Sequence, residues 1–411
     1  MSKPQGDSDE VTSLVAVFTD AVEDAVAERL PVLAALTETD KMWAAIAHPL
    51  GGRDVERRAA AAIEGSQILK PLLDHGAAGG ILTIGRGGTN ITANNLASGL
   101  VADSLRESLL IEAAIDRRGL EATVRRNLRR LIATAREHTY PTWMVMGLDV
   151  SMQPGLMLRL PWGCLVCPLI QGPGIAMMAG PILAVRVSVR SWMQRAQNDQ
   201  RYALAEALAD RAFLLVGASV ALAFDDVMPP VQRWRAILGP GPNSMELWST
   251  PSYSVHGEGI SPDDVPEVEG WATRLEVLHD SRLDIAAERL SRARAERNSW
   301  EDQLIDAVIA WENICGGSTE TTFRVTASLA KLIEPQPGAD REKLLDALGT
   351  VYAVRSALVH GRKLERREIV SAAGTAMAVA RRALRSLYLD RDNLIAMSSD
   401  QRANQLLVHE P

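Results

Sequence analysis

Apolar residues follow a helical period through most of the chain and a strand period in its middle. From residue 1 to about 139, and again from residue 266, they recur every three or four positions, which predicts amphipathic helices. Between these parts, the valines within residues 185–189 alternate with Arg186 and Ser188, the two-residue period of a half-buried strand. The pattern predicts a fold that is mainly α with a smaller β-containing part (α+β).

Breaks in this pattern divide the chain into four parts. We expect a helical N-terminal region, a mixed α/β middle domain with its connector, a helical bundle and a tail, over residues 1–139, 140–265, 266–395 and 396–411. The glycine-rich stretch at residues 76–92 is interpreted as a flexible loop, because neither a Walker motif nor a strand–loop–helix frame accompanies its glycines. The segment from residue 225 to the start of the bundle is dense in turn-forming residues and is interpreted as a connection.

The part after residue 266 contains five helical segments with short connections, the arrangement of an antiparallel bundle. Ser299, with Asp302 three positions later, predicts the start of one helix, and Gly316 predicts its end. Gly361 predicts the end of a later helix in the same way.

The composition narrows the class of protein. With 411 residues, 47% hydrophobic and 23% charged, the chain resembles an ordinary soluble globular protein. A net charge of −7 excludes a protein that coats nucleic acid over its whole surface, but it allows a local basic site. Cys164 and Cys167 lack a second cysteine pair and are interpreted as small buried side chains. A polar beginning and short apolar runs lead us to expect a cytoplasmic protein without a membrane partner.

A row of arginines in the N-terminal helices is one candidate surface. The segment "RRNLRRLIATAR" places Arg125, Arg126, Arg129 and Arg130 along one side of a helix. We interpret this row as a solvated face, with contact to RNA phosphates or to a partner as the alternative.

The segment "TVYAVRSALVHGRKLERRE" at residues 350–368 carries the candidate chemistry. An imidazole transfers protons near neutral pH, and a planar guanidinium binds phosphate through two charge-assisted hydrogen bonds. On a straight helix, five residues turn through about 500°, which leaves Arg355 and His360 about 140° apart. A helix end at Gly361 relaxes this constraint on His360. The structural alternative is a histidine that favours the helix dipole and an arginine that neutralises a buried glutamate.

Three segments here resemble the HEPN superfamily, in its ApeA-like branch. "WEDQLIDAVIAWENI" is similar to the acidic first core helix, with Asp306 and Glu312 at the acidic positions. "ETTFRVTASLAKLI" is similar to the second, with Glu320 and Arg324, and "VYAVRSALVHG" carries the R-x(4–6)-H motif. The resemblance covers residues 270–392 and implies that the bundle is a HEPN helical bundle.

The resemblance implies a metal-independent endoribonuclease with no cofactor, whose site two chains assemble. His360 would act as general acid and base, Arg355 would hold the scissile phosphate, and Ser356 would support their geometry. A supporting polar network would orient the arginine, formed by Asp306, Glu312, Glu320 and Arg324. The family often has Asn, Asp or His after the motif arginine, so Ser356 departs from its pattern. A hydroxyl hydrogen-bonds but carries no charge.

A basic cluster follows the motif directly and is interpreted as a contact for the RNA backbone. Its members are Arg362, Lys363, Arg366 and Arg367. Residues 281–395 carry 18 Lys and Arg against 16 Asp and Glu, a net charge of +2 in an acidic chain. Because Glu365 and Glu368 interleave with the cluster, a solvated loop of mixed charge is an equal alternative.

The expected function is an endoribonuclease of the toxin or antiphage-defence type, with tRNA among the candidate substrates. Its expected partners are RNA and a second copy of the chain, in a homodimer or higher homo-oligomer. The upstream domains would sense a trigger, such as a phage-derived molecule or a partner protein. The alternative is a non-catalytic HEPN module that dimerises and binds RNA, a nucleotide or a protein. Neither H-E-x-x-H nor G-x-S-x-G offers a rival site.

Overall fold

The computed structural model describes residues 5–35, 53–84, 87–108, 116–153, 155–167, 181–190, 200–237, 245–247, 259–316 and 321–409. The chain forms two units. The first contains Met1–Asp210 and Gln232–Thr250, and the second contains Arg211–Val231 and Pro251–Pro411. Helices dominate and a small sheet accompanies them, which confirms the predicted fold class.

The helices of the first unit surround one apolar core. They are α1 (Gln5–Ala35), α2 (Arg53–Glu64), α3 (Lys70–Ala77), α4 (Ala93–Glu107) and α5 (Arg117–Ala135). Phe18, Ile63 and Leu128 lie fully buried in this core. Within one helix the buried residues recur at helical spacing, as Leu14, Val15, Phe18 and Val22 do in α1.

A hairpin occupies the glycine-rich stretch that we expected to be a flexible loop. Strand β1 (Ile81–Ile84) pairs antiparallel with β2 (Gly87–Asn90), with Ile81 opposite Asn90. The preceding Gly76 lies so close to the next segment that a Cβ atom there would come within 2.0 Å of the Ile91 carbonyl oxygen. The glycines therefore serve close packing as well as turning.

The sheet of the first unit has six strands in the order β4–β5–β6–β3–β7–β8. Their bounds are β3 (Thr139–Asp149), β4 (Met157–Leu160), β5 (Gly163–Val166), β6 (Ile182–Arg190), β7 (Val231–Ile237) and β8 (Met245–Leu247). In β6, Val185 and Val187 are buried while Arg186 between them is exposed, as the alternation predicts. Strand β7 lies inside the segment that we interpreted as a connection, so that interpretation is wrong there.

A buried carboxylate joins the helices of this unit to its sheet. Glu107 on α4 is fully buried and accepts hydrogen bonds from Arg126 Nε at 2.7 Å, Arg130 Nη1 at 2.7 Å and Trp143 Nε1 at 3.0 Å. Arg130 also donates to the Pro141 carbonyl oxygen on β3 at 2.9 Å. Two of the four arginines in the predicted solvated row therefore bind the buried Glu107 carboxylate, and the prediction is wrong for these two. The expected boundary near residue 140 falls within a single unit for the same reason.

The second unit is a helical bundle. Helix α6 (Gln200–Ala223) begins in the first unit and ends in this one, and the bundle continues with α7 (Val265–Leu278), α8 (Asp284–Ala295), α9 (Trp300–Cys315), α10 (Thr321–Ile333), α11 (Ala339–Val359) and α12 (Arg366–Asp390). Ser299 caps α9 by accepting a hydrogen bond from the Asp302 amide, and Gly316 follows its last residue, as predicted. Helix α9 packs against α8 and α12, with Trp311 fully buried.

Three arginines bind the C-terminal end of α6 inside this unit. Arg294 donates to the carbonyl oxygens of Ala221 at 2.7 Å and Phe224 at 2.8 Å, and Arg381 and Arg385 both donate to that of Leu222. These are carbonyls that a helix end leaves without partners, and the cations also favour the negative end of the helix dipole. Burial lowers the pKa of Arg294 to about 10, which shows how far this guanidinium is removed from water.

The expected tail belongs to the bundle. Residues Ser399–Asn404 form α13, and Gln405–His409 continue as a π-helical turn. Arg402 on α13 is fully buried and donates to the carbonyl oxygens of Ile314 at 2.6 Å and Asn313 at 2.8 Å, at the C-terminal end of α9. The bundle therefore extends beyond residue 395, because this contact ties α13 to its centre.

Candidate functional site

Helix α11 ends within the motif, at Val359, and His360 is its C-cap. The His360 amide donates to the Ser356 carbonyl oxygen at 3.1 Å, and the Arg362 amide reaches back to that of Ala357 at 2.9 Å. Gly361 between them has φ +69°, a left-handed conformation that glycine adopts without strain. The predicted stop at Gly361 is confirmed, and it leaves the His360 side chain exposed at the end of the helix.

Arg355 faces Glu312 of the neighbouring helix α9. Its Nη2 atom lies 4.0 Å from Glu312 Oε1, and both side chains are about one-third exposed, at 31% and 29%. At this distance the two groups attract each other as charges but share no good hydrogen bond. Among the residues that the structure describes, the buried Nε of Arg355 has no hydrogen-bond partner. The arginine is held near a carboxylate while its donors remain available.

Two aromatic side chains form the floor beneath this pair. The Tyr352 ring lies 5.9 Å from the Trp311 ring, centroid to centroid, at an angle of 55°. Trp311 is fixed by a hydrogen bond from its Nε1 to the Ala376 carbonyl oxygen at 2.9 Å. Burial, and next the Glu312 carboxylate, raise the pKa of the Tyr352 phenol above its ordinary value, so the hydroxyl keeps its proton.

The expected supporting network is only partly assembled. Glu312 contacts Arg355 as expected, whereas Asp306 accepts hydrogen bonds from Arg289 and Arg297, each at 2.6 Å. Asp306 is buried and binds α8 and the connection that follows it to α9. Asp306 therefore lies outside the network that was expected to orient the motif arginine, because its oxygens already bind two other guanidinium groups.

Arg324 also lies with other partners than expected. Its Nη2 donates to Asp400 Oδ1 and to Asn404 Oδ1, both at 2.9 Å. These residues belong to α13, so Arg324 ties α10 to the C-terminal helix rather than orienting Arg355. Glu320, the remaining expected member of the network, lies outside the described residues.

Ser356 and His360 both point to solvent. Each side chain is exposed, and within the described ranges neither forms a side-chain hydrogen bond. The expected support of the site by Ser356 is seen only in the backbone, through its carbonyl oxygen. The structure thus brings Arg355 to Glu312 and presents His360 at the surface one turn later.

The basic cluster lies on the exposed connection to α12 and on its first turn. Arg362, Lys363 and Arg366 are exposed and form no ion pair with any part of the chain that the structure describes. Arg367 pairs with Glu365 through an Nε to Oε2 distance of 2.7 Å, with both side chains mostly exposed. The interleaved glutamates act as a capping box, because Glu368 accepts a hydrogen bond from the Glu365 amide at 2.9 Å. Three cations beside the motif therefore lack an ion-pair partner in the part of the chain that the structure describes.

Sequence reasoning missed two residues near this site. Tyr352 stands one helical turn before Arg355, and its spacing from the motif was the available signal. Arg402 fixes the carbonyls directly after Glu312, but an isolated arginine near the end of the chain gives no sign of its burial.

Comparisons with known proteins do not assign the chain to a family. No protein-family profile, no curated protein and no solved structure matches the chain. No helix in the described ranges has the length and apolar character needed to cross a membrane. In the same ranges, no group of three or more His, Cys, Asp and Glu side chains is placed to hold a metal ion.

Proposed function

We propose that this protein is a metal-independent endoribonuclease of the HEPN toxin or antiphage-defence type, cutting RNA such as tRNA at a site shared by two copies of the chain. The single observation that carries the proposal is the end of α11. There, a guanidinium with available donors and an exposed imidazole stand five residues apart, beside three cations that have no ion pair within the described residues.

The chemistry is internal attack by the RNA. The 2′-hydroxyl oxygen attacks the adjacent phosphorus while the bond from phosphorus to the 5′ oxygen breaks. A base accepts the 2′-hydroxyl proton, and an acid protonates the leaving 5′ oxygen. The products are a 2′,3′-cyclic phosphate and a 5′-hydroxyl end. Positioned proton transfer of this kind contributes about 10²- to 10⁴-fold to the rate.

His360 and Arg355 take the two roles. The exposed imidazole of His360 transfers protons, and the guanidinium of Arg355 stabilises negative charge on the phosphorane through its planar fork. Glu312 beside Arg355 limits the freedom of that fork without consuming its donors, because their separation is 4.0 Å.

One chain supplies one imidazole, whereas in-line cleavage needs a base and an acid on opposite sides of phosphorus. A second copy supplies the other. Phe323 on α10 is 64% exposed and Val359 on α11 is 57% exposed. Since α10 and α11 are packed neighbours joined by a short connection, the first turn of α10, with Phe323, lies along the C-terminal half of α11, which ends at Val359. Exposed apolar side chains beside the motif support an interface at this place.

The alternative is a non-catalytic HEPN module that dimerises and binds RNA, a nucleotide or a protein partner. The observation favouring it is Ser356, which is exposed and forms no side-chain hydrogen bond in the described ranges that would orient a catalytic group. In either case the first unit would receive the trigger or the partner.

The test is cleavage of total cellular RNA by the purified full chain in excess EDTA. We expect fragments with 2′,3′-cyclic phosphate ends from the wild type, and none from His360→Ala or Arg355→Ala. His138→Ala and Arg118→Ala are matched controls, since both residues are exposed, lie in the first unit and stand outside the arginine row. Both controls should cut as the wild type does. Equal RNA profiles from all five proteins would reject the nuclease in favour of the binding module.

A further inference from the structure

Three polar groups meet beneath the motif with hydrogen bonds left unmade. The Tyr352 hydroxyl and the Arg355 Nε are both buried, and neither has a hydrogen-bond partner among the described residues. Glu312, the nearest carboxylate to the arginine, lies 4.0 Å from its Nη2. Buried donors without partners are rare in folded proteins, and each calls for an explanation.

Other buried aromatic side chains of the bundle have hydrogen-bond partners, although Arg324 Nε and the Ser328 hydroxyl, like Tyr352, have none among the described residues. The buried Tyr388 hydroxyl lies 2.7 Å from His279 Nδ1, and Trp311 and Trp271 both donate from Nε1 at 2.9 Å. Tyr352 is only 6% exposed, so water does not replace the missing partner readily. Its ring packs against Trp311, a task that a phenylalanine would perform equally well. Packing therefore does not account for the hydroxyl.

The positions of the three groups suggest what the hydroxyl is for. Tyr352 and Arg355 are three residues apart on α11, so their side chains lie on one face of the helix. The Glu312 carboxylate lies close enough to the Tyr352 phenol to act on it by its charge and by a weak hydrogen-bond contact, although no hydrogen bond of good geometry joins the two. A carboxylate has two oxygens and accepts several hydrogen bonds, so Glu312 has room for both orphan donors at once.

We propose that Tyr352 is a positioning residue of the nuclease site, whose hydroxyl closes a Tyr352–Glu312–Arg355 network when an RNA phosphate is bound. This inference rests on the proposed function. Bound phosphate takes the two terminal nitrogens of Arg355, and the guanidinium turns so that its Nε donates to one Glu312 oxygen. The Tyr352 hydroxyl donates to the other oxygen. Glu312 is then fixed from two sides, and the plane of the arginine fork is set against the phosphate.

The test variant is Tyr352→Phe, which removes one oxygen and keeps the ring against Trp311. The probe is unfractionated tRNA, cut by the full chain under single-turnover conditions in EDTA over a range of enzyme concentrations. The maximal cleavage rate should fall about tenfold, the effect of one lost hydrogen bond, with half-saturation changed less than about twofold. The thermal midpoint should not fall, because in the described structure the variant breaks no hydrogen bond.

Two further variants separate positioning from a structural role. Glu312→Gln combined with Tyr352→Phe should be no slower than Glu312→Gln alone, because the tyrosine acts through that carboxylate. Tyr388→Phe is the matched control, since it removes a buried hydroxyl that bonds to His279 in the same bundle. It should lower the thermal midpoint and leave the maximal cleavage rate unchanged.

The outcomes distinguish a failure of the Tyr352–Glu312–Arg355 network from a failure of the proposed nuclease function. A wild-type protein that leaves tRNA intact would overturn both the nuclease and the network. An active wild type with an equally fast Tyr352→Phe would overturn the network alone. A slow Tyr352→Phe with a lowered thermal midpoint, or with effects that add to those of Glu312→Gln, would assign the hydroxyl a merely structural role.

Discussion

Replacing Arg402 by methionine should loosen the end of α9 that carries Glu312. The Arg402 side chain is fully buried and donates to the carbonyl oxygens of Asn313, Ile314, Ile395 and Met397. In Arg402→Met, these four oxygens lose a charged donor at a place where water enters poorly. Methionine keeps much of the apolar volume, so the loss falls mainly on the hydrogen bonds.

The size of the effect follows from two opposing contributions. Four hydrogen bonds from a charged donor, at about 1.5 kcal/mol each, give about 6 kcal/mol. Burial also lowers the pKa of Arg402, a sign that the guanidinium is held at a desolvation cost. Removing the charge relieves that cost by about 3 kcal/mol, on the scale of several kcal/mol for a buried ion. The net loss of local stability is about 3 kcal/mol.

Amide hydrogen exchange measures this loss where it occurs. A loss of about 3 kcal/mol accelerates exchange through local opening about 100-fold, in peptides spanning residues 305–316 and 398–409. Arg282→Met is the control, because Arg282 is about half exposed and, among the described residues, forms its ion pair with Asp280, two positions before it. It should leave those peptides unchanged. Unchanged exchange in Arg402→Met would refute the reasoning that this arginine holds the end of α9.

Three other perturbations test separate parts of the structure. Burial lowers the pKa of His279, despite its hydrogen bond to Asp284. As the pH falls, the imidazole is therefore protonated in the unfolded chain before it is protonated in the folded one. The contribution of neutral His279 to the free energy of unfolding is therefore fully present above about pH 6.5 and declines as the pH falls toward the folded pKa. His279→Gln should flatten a plot of thermal midpoint against pH. An unaltered plot would contradict this assignment. The triple variant Arg362→Ala, Lys363→Ala, Arg366→Ala should bind RNA with a weaker salt dependence. The slope of log binding constant against log salt concentration should fall by about 2, at about 0.7 per phosphate contact, when binding is measured by fluorescence anisotropy. An unchanged slope would show that the cluster does not contact RNA. Phe323→Asp with Val359→Asp should convert dimers into monomers in light scattering and abolish cleavage, whereas dimers that persist would place the interface elsewhere.

Local signals were enough to predict most individual elements. Ser299 and Gly316 mark the two ends of α9, and Gly361 marks the end of α11. These ends were predictable because capping depends on residues within one turn. The alternating valines of β6 also gave its buried face correctly. These features are written in a few neighbouring residues, so the sequence alone reveals them.

The errors arose where distant residues decide the outcome. Arg126 and Arg130 looked like a solvated row because their partner Glu107 lies on another helix. Two prolines before Val231 concealed β7, and Arg233 and Arg235 interrupt the apolar alternation between Val231 and Ile237. A hairpin of glycines and a buried C-terminal helix were missed for the same reason, since only packing makes them stable.

In the candidate site, too, residues in a local motif were predicted correctly and contacts between distant residues were not. Arg355 and His360 were found from a short motif, and Glu312 from its place on the acidic helix. Arg324 was misplaced because its partners Asp400 and Asn404 lie in a segment expected to be a tail. Side-chain partners across a bundle depend on the register of whole helices, which no local pattern specifies.

The central claim is that the RNA's own 2′-hydroxyl is the nucleophile, assisted by His360 and Arg355. The most direct measurement uses a synthetic RNA spanning a mapped cut, with a single 2′-deoxy substitution at the nucleotide on the 5′ side. We expect the all-RNA strand to be cut in EDTA to a 2′,3′-cyclic phosphate and the substituted strand to remain intact. Cleavage of the substituted strand at the same bond, or 3′-hydroxyl ends from either strand, would contradict the account.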